Sequence, residues 1–154
     1  MDYDNKLNDA LKKAMTLCAR RELCRRDIET KLEKWGIDAS GSSKIIGLLI
    51  RDKFIDEKRY SSSFARDKFR QNKWGRIKIA VMLRMKRIDE ETIKDALSAI
   101  DEEEYRATFR KLMENRRKTL KAKSDFELRS KLMKFAASKG FEAKLIYEML
   151  GENE

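Results

Sequence analysis

Apolar residues recur along this chain at helical spacing, and the pattern itself repeats. Take Gly36, Arg87 and Gly140 as reference points, 51 and 53 residues apart. Four residues before them stand Leu32, Leu83 and Ala136, eight before stand Ile28, Ile79 and Leu132, and one after stand Ile37, Ile88 and Phe141. Further on, Ile93 and Leu97 match Ile146 and Leu150 as i, i+4 pairs, the stripe a helix needs to reach a core. Ile45 and Leu49 join this register if "ASGSS" holds three extra residues. A period near 50 residues made of helices marks stacked units rather than one bundle with accidental self-similarity.

The spacing predicts three helices per unit. They fall near 5–20, 25–35 and 42–53, near 57–71, 76–86 and 90–99, and near 102–122, 125–138 and 142–150. Asp56 and Asp89 suit N-caps, Ser124 with Glu127 forms a capping box, and Gly36 and Gly140 suit helix ends that need positive φ. A unit of this size is marginal alone and has to bury a face against its neighbour. The expected fold is therefore all-α, with three tandem three-helix modules (1–55, 56–100 and 101–154) forming an elongated, curved body.

Composition strengthens the helical reading, because 154 residues contain no Pro and only 6 Gly. It also narrows the chemistry. The chain has no His, so the usual general base and the commonest metal ligand are missing, and Cys18 and Cys24 form no CxxC pattern. No catalytic residue, metal site or cofactor is expected, and "DEEE" at 101–104 is a solvated helix start. No apolar run is long enough to span a membrane and the first ten residues are acidic and polar, so a soluble, cytoplasmic, monomeric protein is expected.

The net charge of +10 changes the picture most, since it points to a polyanion or an acidic protein surface as partner. Two stretches concentrate it. Residues 66–87 carry Arg66, Lys68, Arg70, Lys73, Arg76, Lys78, Arg84, Lys86 and Arg87 against the single acid Asp67. Arg66, Arg70 and Lys73 share a face, and Arg76 and Lys78 open the next helix, where backbone N–H groups also favour anions. The helix at 102–122 sets Tyr105, Phe109, Leu112, Met113 and Leu120 on one side and Arg106, Arg110, Lys111, Arg117, Lys118 and Lys121 on the other. A charged outer face is usually plain solvated surface, but such faces mix signs, and residues 106–123 hold only Glu114 among eight cations. Trp74, beside Gly75, is read as a packing residue against Tyr60, Phe64 or Phe69 rather than a base-stacking platform, and the methionines as core filler.

Three segments carry a resemblance. "ARRELCRRDIETKLEKWG" (19–36), "FIDEKRYSSSFARDKFRQNKWGRIKIAVML" (54–83) and "KLMKFAASKGF" (131–141) resemble, in order and spacing, the signature segments of the RecX family, regulators of the RecA recombinase. Its most specific part is the acid before Arg59 and Tyr60, then Phe64 and Ala65, a basic run, and Gly75. The resemblance implies binding of the RecA filament on single-stranded DNA and inhibition of strand exchange, ATP hydrolysis and co-protease activity in DNA repair and the SOS response. It brings no catalytic residues. Three positions depart from the family pattern: Cys24 stands for Ser at a helix N-cap, Arg76 for Pro, and Arg87 for Gly. The alternative function is direct DNA binding by tandem helix-turn-helix-like units.

Overall fold

The nine stretches marked by apolar spacing are helices in the computed structural model, which describes residues 2–151. They are α1 (Asp2–Arg20), α2 (Arg25–Lys34), α3 (Ala39–Arg51), α4 (Glu57–Asn72), α5 (Arg76–Met85), α6 (Glu90–Ser98), α7 (Glu102–Thr119), α8 (Asp125–Ser138) and α9 (Ala143–Leu150). The closest helix packing lies within three consecutive triplets: α1 and α2 on α3, α4 with α5 and α6, and α8 with α7 and α9. No strand occurs among the described residues.

The repeat has a physical origin in one recurring turn. After α2, α5 and α8 the chain reverses through the same pair of hydrogen bonds: Gly36, Arg87 and Gly140 donate to the carbonyls of Glu33, Arg84 and Ala137, and Ile37, Ile88 and Phe141 donate to those of Leu32, Leu83 and Ala136. All three reference residues are left-handed, with φ of 75°, 61° and 90°. Arg87 thus adopts the conformation that glycine supplies in the other two turns. The paired apolar residues close the turn from inside, since Leu32, Leu83, Ala136, Ile88 and Phe141 are buried and Ile37 is half-buried.

The capping residues correct the sequence register. Asp38, Asp89 and Glu142 each stand two residues after the turn residue and precede α3, α6 and α9. The three helices therefore start in step, and "ASGSS" is the first turn of α3 rather than an insertion before a helix at 42. The extra length of α3, 13 residues against 9 and 8, extends its far end. Asp38 accepts from Gly41 N and Asp89 from Thr92 N, both at 2.8 Å. Asp56 caps α4 through Lys58 N and Arg59 N. Ser124 caps α8, but Glu127 reaches Lys123 N rather than the N-cap N–H, so only half of the capping box forms.

A second correction concerns α7, which ends at Thr119 and not near 122. Leu120 turns to extended backbone (ψ 138°) and packs against the core, and Lys121 lies in the link to α8, where its carbonyl accepts from Lys131 Nζ at 2.7 Å.

Two cores result. The first joins α1, α2 and α3 through Ala10, Ala14, Ile28, Leu32, Ile45, Ile46 and Leu49. The second runs without a break through the other six helices, and Cys24 from the first triplet inserts into it. Aromatic rings bridge α4 to α7 to the α8–α9 turn: Phe69 lies 5.5 Å from Tyr105, Tyr105 5.4 Å from Phe141, and Phe109 4.8 Å from Phe141. Trp74 packs on Phe64 with ring centroids 6.4 Å apart, as the sequence suggests.

Candidate interface on the basic faces of α4, α5 and α7

The cations of the central stretch stand where two triplets meet. Gly75 N donates to the Lys139 carbonyl at 2.7 Å, and Ile77 N to the Gly140 carbonyl at 2.9 Å. This backbone approach admits no side chain. A Cβ on Gly75 would lie 2.4 Å from the Gly140 carbonyl carbon, and one on Gly140 would lie 2.5 Å from Lys78 N.

Arg76 locks the junction. Its backbone N–H donates to the Tyr105 hydroxyl at 2.9 Å, and its guanidinium reaches Glu102 at 2.6 Å and Glu142 at 3.0 Å while lying 3.8 Å from the Tyr105 ring centroid. The Tyr105 hydroxyl also donates to Glu142. Burial opposes the charge on Arg76, and the two carboxylates outweigh it and raise its pKa. Burial and the Glu142 contact hold the Tyr105 phenol protonated, and Arg76 keeps Glu102 below the ordinary glutamate range. Because Tyr105 and Gly140 take up the first N–H groups of α5, that helix start is not open to an anion, contrary to the sequence expectation.

Most other cations of this stretch are also engaged. Arg70 pairs with Glu104 at 3.2 Å, and Arg84 grips Glu90 through two bonds of 2.8 and 2.9 Å. Lys86 reaches Asp27 of the first triplet at 2.5 Å. Burial works against the Asp27 carboxylate, yet bonds from Lys86 and Cys24 lower its pKa. Cys24 N donates to Asp27 at 3.2 Å, and burial pushes the Cys24 thiol up to about 11. Arg66 lies 3.6 Å from Asp67, Lys73 bonds the Arg70 carbonyl at the left-handed end of α4, and Lys78 lies 4.7 Å above the Trp74 ring. Arg87 is exposed on its turn.

The α7 face is different. Arg106, near its start, is held by Glu102 at 3.1 Å and Glu148 at 2.9 Å. Arg110, Lys111, Arg117, Lys118 and, on the following link, Lys121 are all exposed. No carboxylate among the described residues lies within salt-bridge distance of these five. The structure thus sorts most of the predicted cations into an engaged group around α4 and α5 and an unpaired group from Arg110 to Lys121 on α7 and the link after it, with Arg87 exposed on its own turn. Charge counting missed this because the bracing acids, Glu102, Glu104 and Glu142, lie 26 to 66 residues away in sequence from their arginine partners. One signal was available, since position 142 holds Glu where the matching positions 38 and 89 hold Asp, the better capping residue; in the structure Glu142 makes no cap bond.

Together these features define a class: an all-α protein of tandem three-helix units, stitched by arginine–carboxylate clamps. No cluster of His, Cys, Asp and Glu suited to a metal occurs among its described residues, and no helix there is long and apolar enough to cross a membrane. Comparison with known proteins names the class. The sequence profile of the RecX second three-helix domain matches residues 56–97, and that of the RecX third three-helix domain matches residues 102–150. The chain belongs to the RecX family.

Regulatory protein RecX of Chlorobaculum tepidum is 29% identical over 153 residues, covering 97% of this chain and 93% of its own. Regulatory protein RecX of Clostridium botulinum (strain Eklund 17B) is 28% identical over 129 residues, and the chain spans only 60% of that longer relative. The crystal structure of RecX from Lactobacillus salivarius has the same fold, with a TM-score of 0.83 at 22% identity over 97% of both chains.

Proposed function

We propose that this RecX-type regulator binds the nucleoprotein filament of the RecA recombinase and lowers its strand-exchange, ATPase and co-protease activities. The observation that carries the reading is the unpaired cation row Arg110, Lys111, Arg117, Lys118 and Lys121. Cations already neutralised by a neighbouring carboxylate gain little from a phosphate, whereas unpaired ones release counterions from a polyanion and bind with a strong salt dependence. Single-stranded DNA within a filament supplies such phosphates. Linked units suit a repeating target, because each docked unit raises the effective concentration of the next.

Reversing Arg110, Lys111, Arg117 and Lys118 to Glu tests the reading. Each substitution is exposed, so helix content is expected to persist, with stability changes below about 0.5 kcal/mol per site. Filament binding is expected to weaken, and the slope of log affinity against log salt to fall by about 3 for four lost phosphate contacts. Unchanged binding and slope would overturn the assignment of this face to DNA.

A further inference from the structure

Four lysines gather where the second and third triplets meet. Lys68 of α4 and Lys78 of α5 set their ammonium groups 5.1 and 4.7 Å from the Trp74 ring centroid. Lys139, at the end of α8, donates to the Asn72 carbonyl at 2.8 Å, and Lys73 donates to that of Arg70. The close backbone approach holds the group together, since Gly75 N bonds the Lys139 carbonyl and a Cβ on Gly140 would lie 2.3 Å from Lys78 Cβ. The main chains that carry Lys78 and Lys139 are thereby fixed side by side. A ring or a carbonyl orients an ammonium group, but neither carries the full opposite charge that would cancel it. No carboxylate among the described residues lies within salt-bridge distance of these four lysines. That sets them apart from Arg70, Arg76, Arg84 and Lys86, each of which meets a glutamate or Asp27. The half-buried Lys139 registers the imbalance: burial and then the charge of Lys78 lower its pKa below the ordinary lysine value.

We infer that Lys78 and Lys139, supported by Lys68 and Lys73, form a phosphate-binding site that takes the backbone of single-stranded DNA at this junction. The inference rests on the proposed function and adds to it a second DNA contact, made by residues outside the α7 row. Residue type separates two kinds of anion here. Carboxylates are taken by Arg70 and Arg76, and a planar guanidinium fork matches a planar carboxylate. The group without acids is all lysine, compact charges on flexible stems that meet a tetrahedral phosphate from any side. Like charges held together by the fold also gain more from an anion than isolated ones do, because the anion screens their mutual repulsion.

Trace acetylation of lysines in the wild-type protein, read by mass spectrometry, tests the site without altering the chain. A saturating oligo-dT strand is expected to block acetylation of Lys78 and Lys139 as well as that of Lys111 and Lys118. Protection confined to Lys111 and Lys118 would overturn the inference and leave the α7 reading standing, and protection at none of the four would overturn both. Equal protection of Lys78 and Lys139 by inorganic phosphate at the same phosphate concentration would overturn the DNA assignment in favour of a free-phosphate site. Protection of the pair by DNA-free recombinase but not by oligo-dT would move the site to an acidic protein surface. The double variant Lys78→Gln/Lys139→Gln provides a second measurement, with circular dichroism and melting to establish folding. Its oligo-dT affinity is expected to fall about tenfold, and its slope of log affinity against log salt by about 0.7, the share of one phosphate on a single strand. Lys78→Arg/Lys139→Arg is expected to retain both, since it preserves the charge. A wild-type affinity and slope in the glutamine variant would overturn the inference, as would equal losses in the glutamine and arginine variants, which would assign the effect to packing about Trp74.

Discussion

Arg87 holds φ at 61° in a turn whose two counterparts use glycine. A non-glycine residue in that region costs roughly 1–2 kcal/mol, and glycine returns part of the difference through its larger unfolded-state entropy, about 0.5–1 kcal/mol. Arg87→Gly is therefore expected to stabilise the protein by about 0.5–1 kcal/mol and raise Tm by about 2 °C, read by thermal unfolding. A lower Tm would show that the arginine side chain contributes more than its backbone costs. The turn was legible in the sequence, because the flanking apolar residues kept their spacing although the glycine was gone. The fate of Arg76 was not legible. Nothing local distinguishes a guanidinium that faces solvent from one pinned between Glu102 and Glu142, which lie 26 and 66 residues away.

At the scale of elements, Arg76 is what fastens α5 to α7 and to the start of α9. Its side chain is 22% exposed, and removing it leaves Glu102, Glu142 and the Tyr105 hydroxyl facing one another without a cation. Arg76→Ala is expected to cost about 2 kcal/mol, below the range for fully buried pairs because Glu102 remains largely in water; urea unfolding measures it, and a loss under about 0.5 kcal/mol would reject the clamp. The clamp also has a pH signature. Glu102 has its pKa lowered from the ordinary 4.5, so its contribution is present above that value and is lost as pH falls through the lower, folded-state pKa. Stability of the Arg76→Ala variant should accordingly change less than that of the wild type on acidification below about pH 4.5. Helix existence and most boundaries were readable from periodicity and from caps such as Asp56 and Asp89. The end of α7 was not, because its cationic run continues to Lys123 while the backbone leaves the helix at Leu120, where a core contact and the Ser124 cap of the next helix prevail.

For the whole molecule, the two separate cores leave more surface in water than one core would. The chain exposes 10219 Å², against about 8,100 Å² for a compact monomer of its mass. Three units in a row produce such an excess, and small-angle scattering should return a radius of gyration near 20 Å; the roughly 15 Å of a compact domain of this length would contradict the extended arrangement. In the proposed function, length serves to occupy a surface that runs across neighbouring subunits of a filament. The recombinase's DNA-dependent ATP hydrolysis, followed as this protein is added at less than one copy per recombinase subunit, tests that occupancy most directly. ATPase and strand exchange are expected to fall together, and to recover when Arg110, Lys111, Arg117 and Lys118 are reversed to Glu. Full ATPase and strand exchange at saturating protein, alongside tight binding of the protein alone to one duplex sequence, would contradict filament docking and favour tandem helix-turn-helix recognition of DNA.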